Sequence, residues 1–165
     1  MPTWALALAY WVHLIATVMW VGGLCLMALL IWPTAVKRPP TETARWLVDL
    51  QRRFNPLAWL SLAALLVTGM MQMSADSNYH GLLTIDTAWA GAMLLKHLAV
   101  FGMVGFGVWL QWGLQPELAR LVLKIERGQP APELEALRRR ELTLLRLNLA
   151  CAVLVLLFTA IATAL

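Results

Sequence analysis

Four apolar runs, each long enough to cross a bilayer, are strung through this chain of 165 residues with only short polar segments between them. A spanning helix needs roughly 17 to 25 predominantly apolar residues, and the runs at about 4–32, 56–73, 88–112 and 142–165 supply them. With 61% hydrophobic and 13% charged residues, the chain has too little polar surface to enclose this much apolar area in water. The expectation is an all-α integral membrane protein, a single domain over 1–165 folded as a four-transmembrane-helix bundle. Segments 33–55 and 113–141 would lie on one side and a loop at 74–87 on the other.

Charge assigns those sides. Lys37, Arg38, Arg45, Arg52 and Arg53 fall in the first long connection, and Arg120, Lys124, Arg127, Arg138, Arg139 and Arg140 in the second. Segment 74–87 has no Lys or Arg. Basic loops stay on the cytoplasmic side, so both termini and the 74–87 loop are expected on the outer, periplasmic face of a bacterial cytoplasmic membrane, as a multi-pass protein. No basic stretch precedes the first run, which therefore reads as a retained helix rather than a cleaved signal. The net charge of +4 then reflects topology and contact with anionic headgroups of the lipid bilayer, not binding of nucleic acid.

The connections carry amphipathic patterns. Trp46, Leu47, Leu50 and Phe54 share a face opposite Arg45, Asp49, Arg52 and Arg53, which predicts a short helix lying on the cytoplasmic surface. Asn55-Pro56 reads as the turn into the second span, because proline disfavours a helical residue before it. A second amphipathic stretch runs from Pro116 to near Gly128, and Pro132 opens a run that continues through Arg140 into the fourth span. Cys25 and Cys151 sit inside spans and read as small apolar residues, with no disulfide framework.

Ionisable residues inside a span are costly and mark functional candidates. His13, Lys96 and His97 are the clear ones. His13 follows Trp4 by nine residues and His97 follows Trp89 by eight, so on helices running in the same direction both imidazoles would lie at one depth. Two histidines at matched depth can ligate the iron of haem b from both sides. Gly22, Gly23, Gly102, Gly105 and Gly107 would leave space for the macrocycle, and Trp20, Phe101 and Phe106 would line it. The other reading of these glycines is close helix packing, and of the histidines hydrogen bonding to neighbouring helices. Lys96 points about 100° away from His97, to snorkel outward or to pair with a haem propionate. Arg146, Asn148 and Asn55 form a second polar set nearer the basic loops. A rival site for a copper ion is Met70, Met71 and Met73 with His80, since thioethers and imidazole suit Cu(I). No phosphate loop, Ser-His-Asp set or zinc spacing is visible.

Several of these residues stand in recognisable motifs. His13-Leu-Ile-Ala-Thr-Val-Met-Trp20-Val-Gly-Gly23, Arg53-Phe-Asn-Pro56 leading to Thr68-Gly69, Lys96, and Arg146-Leu-Asn148 together resemble the CopD-type copper-resistance membrane domain and the related HemJ-type protoporphyrinogen oxidases. The first resemblance implies copper uptake. The second implies oxidation of protoporphyrinogen and a link to haem b, with a first-helix His and a third-helix Lys as functional positions, matched here by His13 and Lys96. Leu149 departs from the HemJ pattern, which has an acidic residue after the Asn, and His97 is an addition to the general pattern.

That added histidine makes the leading expectation a small b-type membrane cytochrome. Its haem, held between the first and third helices, would pass electrons in or beside a membrane redox complex or the quinone pool. The alternatives are a CopD-like copper transport or resistance protein, a HemJ-like oxidase, and a cofactor-free structural subunit. An oxidoreductase activity is left open on this reading, and so is the oligomeric state.

Overall fold

The computed structural model describes residues 2–35, 40–79, 81 and 87–165, and the described residues are almost entirely helical. Four helices are long and apolar enough to cross a membrane: α1 (Thr3–Ala35), α2 (Pro40–Ala75, apolar over Arg45–Ala75), α3 (Ala88–Glu126) and α4 (Leu134–Ala164). The chain is a multi-pass membrane protein. In hydrocarbon every backbone amide must be bonded within its own segment, which leaves helices as the form these runs take.

The helices are longer than the apolar runs because the amphipathic segments extend the spans instead of lying apart. α2 continues through Asn55 and Pro56, so the expected turn there does not occur. A proline inside a helix removes one backbone bond and crowds the carbonyl four residues earlier. Here tertiary bonds hold the helix on both sides of it: the Asn55 amide donates to Gln115 Oε1 at 2.8 Å, and the Trp59 indole donates to Gln111. α3 likewise runs on through Pro116. A π-helical turn over Trp109–Leu114 shifts its hydrogen-bond register just before that proline, whose nitrogen has no proton to give. A second π turn, Leu26–Ile31, lies near the end of α1.

The helices pack as two antiparallel hairpin pairs, α1 on α2 and α3 on α4. The first register is fixed by Gln72 Nε2 donating to the Ala9 carbonyl at 3.3 Å and by Gly23 meeting Phe54. A Cβ at position 23 would run into the Phe54 ring, so glycine is what allows this approach. At the basic end α2 also leans on α3: Trp59 stacks on Trp112 at 5.3 Å, and exposed Arg45 pairs with Glu126 at 3.4 Å. The core at that end gathers Leu24, Trp32, Leu47, Leu110, Leu114, Leu118 and Leu145. α1 and α3 lie diagonally in this arrangement.

Candidate functional site

His13 sits half-buried where α1 crosses α2, and its Nδ1 lies 2.8 Å from Thr68 Oγ1. The proton inventory fixes the direction of this bond. Thr68 has one hydroxyl proton and gives it to the Ala64 carbonyl one turn back, so its oxygen must accept from His13 Nδ1–H. The lone pair of the neutral imidazole is therefore on Nε2, the arrangement of a histidine held ready for a metal by an outer partner. Gly69 gives the ring its space: a Cβ there would meet His13 Cε1 at 3.4 Å. Thr17 bonds back to the His13 carbonyl at 2.8 Å, occupying its own hydroxyl within α1.

The other candidates are placed differently from the sequence expectation. His97 is half-buried on α3, with Nδ1 donating to the Met93 carbonyl of its own helix at 2.6 Å. Lys96, also half-buried, precedes His97 on α3. Trp20 is buried in the core, but Phe101 is 71% exposed and faces outward where lipid would be. The space beside Gly23 is filled by Phe54, and that beside Gly102 by Cys151 Sγ at 3.3 Å. Met73 is buried, Met71 half-buried and Met70 56% exposed, so these three methionines do not share one environment. His80 lies outside the described residues. No group of three or more His, Cys, Asp or Glu able to hold a metal occurs among the described residues.

A second polar layer lies toward the basic end, and sequence reasoning caught only part of it. Gln51, Asn55 and Trp59 recur every four residues on one face of α2. Gln51 donates to buried Glu141 of α4, Asn55 to Gln115, and Trp59 to Gln111. Asn148 is fully buried beside Gly107, whereas Arg146 is exposed and takes no part. Arg138, also buried, lies over the Trp32 ring at 5.7 Å. The signal that would have revealed more of it is the four-residue spacing of neutral amides on one helix face, Gln51 with Asn55 and Gln111 with Gln115.

Residues 48–162 match the family described as Copper resistance protein D. A copper transport protein of Bacillus subtilis (strain 168), CutJ, is 33% identical over 98 residues, covering 56% of this chain and 16% of CutJ. The matched segment is thus about a sixth of that relative's length. No solved structure matches the chain.

These findings overturn the haem b and electron-transfer expectation, because both matches carry copper in their names. The packing gives the physical reason. Two of the glycines expected to open a slot, Gly23 and Gly102, are met by Phe54 and Cys151, and Phe101 turns away from the interior. Of the two family resemblances visible in the sequence, the match falls on the CopD side, and the chain belongs to the copper resistance protein D family.

Proposed function

We propose that this chain carries copper ions across or into a bacterial cytoplasmic membrane, with His13 as a ligand on the route. The observation that carries this reading is the His13–Thr68 bond, which leaves Nε2 as the free donor inside an apolar span. Imidazole is a good ligand for copper in either oxidation state. Copper is the cargo here, so the site has to release it as well as bind it. Lys96, half-buried on α3, suits that requirement, since a cation within the bundle weakens the hold on a second cation and keeps the site from becoming a trap. Met71 and Met73, on the same helix as Thr68 and nearer the 74–87 loop, are the thioethers we place next on the route, with His80 as an outer ligand. The basic loops orient the bundle with both termini outside, which puts this methionine end on the periplasmic face.

The test is elemental. Cells expressing the chain are compared with cells carrying the empty vector, both in copper-supplemented medium, for total copper and copper tolerance. The reading expects both to change on expression, and identical copper content and tolerance would overturn it.

A further inference from the structure

Below the His13 layer, the bundle holds a small pocket of about 60 Å³ lined by residues of all four helices, among them Trp20, Gln51, Gly107 and Asn148. Three of its lining side chains carry a buried polar atom with no hydrogen-bond partner among the described residues: Trp20 Nε1, Gln51 Oε1 and Asn148 Oδ1. These residues are only 5%, 4% and 2% exposed. One such atom in a bundle core is costly, and three around one pocket call for a common partner.

The chemistry of the three atoms selects that partner. The indole can only donate and the two amide oxygens can only accept. A metal ion would be opposed by the indole proton, and an anion by both oxygens. Water satisfies all three, accepting from Trp20 and donating to Gln51 and Asn148. One water needs roughly 10 to 15 Å³ of void, so a pocket of about 60 Å³ holds more than one.

The pocket also has a polar approach. Gln51, Asn55, Trp59, Gln111 and Gln115 line both it and a larger groove of about 730 Å³ between α2 and α3, whose far end carries Arg45, Asp49 and Glu126. In the opposite direction, toward His13, α2 and α3 continue with Leu62 and Met103, both buried in the core.

We propose that Trp20, Gln51 and Asn148 hold a cluster of water at the inner end of an aqueous half-channel, which opens along the α2–α3 groove at the basic end and stops at an apolar layer containing Leu62 and Met103. The bundle is then hydrated from one side to the middle of its interior. This does not depend on the copper reading, because the three orphan atoms require a water-like partner whatever the cargo.

The indole proton of Trp20 reports on it. The protein is labelled with ¹⁵N-tryptophan, reconstituted in phospholipid nanodiscs, and the Trp20 signal assigned by its disappearance in Trp20→Phe. Magnetisation transfer from water to each indole N–H is then recorded. A water cross-peak at Trp20 is expected in the parent, and its loss in the Gln51→Leu/Asn148→Leu variant, which removes both orphan acceptors. A Trp20 indole that exchanges no magnetisation with water in the parent overturns the proposal, a result that needs no variant to fold. A cross-peak of parental intensity in a folded double variant also overturns it, since the amides would then not be what holds the water.

Discussion

The hydroxyl of Thr68 accepts from His13 Nδ1 at 2.8 Å while spending its own proton on Ala64, so one threonine fixes which nitrogen of the histidine is free. Replacing it by valine keeps the shape and removes the acceptor. Thr68→Val should lower copper affinity on the order of 10-fold, the scale seen when an outer partner of a metal-binding histidine is lost. Thr68→Ser should retain it. Copper(I) titration of the purified protein against a competing chelator separates the two.

Lys96 acts on the same site with the opposite sign. It lies half-buried on α3 among the spans, where a second cation would oppose a bound copper ion, and a roughly fivefold change in affinity corresponds to about 1 kcal/mol. Lys96→Met should therefore bind copper more tightly than the parent and release it more slowly. The same chelator competition measures the first effect, and the rate of copper loss to excess chelator the second. Weaker binding would mean that Lys96 supports the site rather than opposing the cargo.

The contact between Gly23 and Phe54 predicts a coupled pair of substitutions. Gly23→Ala places a methyl into the Phe54 ring and should cost about 1 to 3 kcal/mol, read as a lower thermal midpoint in detergent. Phe54→Leu should recover much of that loss in the double variant. Simple additivity of the two would show that α1 and α2 do not meet there.

Trp59 and Gln111 provide an energetic check on the polar layer. Trp59→Phe and Gln111→Leu each remove the bond between the two side chains, and each should cost on the order of 1 kcal/mol. The double variant loses the same bond only once, so its thermal midpoint should lie above the value expected from adding the two losses.

What could be read from the sequence divides along physical lines. The four spans were legible because lipid demands long uninterrupted apolar runs, and nothing else in this chain satisfies that demand. Their true lengths were not, since Pro56 and Pro116 look like breaks until the side-chain bonds and the π turn that accommodate them are known. His13 and Lys96 stood out because a charged group in hydrocarbon is expensive. Gln51, Gln111 and Gln115 are neutral amides and raise no such alarm, and Glu141 was hidden behind the arginines at 138–140. The haem expectation failed at a further step. Depth along a helix can be counted from sequence, but which way Phe101 faces, and what fills the space beside Gly23, depends on contacts between segments far apart in the chain.

Orientation is open to a separate measurement. Alkaline phosphatase and green fluorescent protein fused after Leu165 should behave as an exported and a non-exported reporter respectively, active phosphatase and dark fluorophore, if both basic loops face the cytoplasm. The reverse pattern would invert the direction in which the methionine end faces.

The central claim is that copper passes by way of His13 Nε2, and copper uptake into membrane vesicles of matched protein content tests it most directly. His13→Ala, whose folding is verified by a parental thermal profile, should take up copper at the rate of vesicles lacking the protein, at least 10-fold below the parent, the scale expected for loss of a ligand. Uptake by that variant at the parental rate would contradict the account.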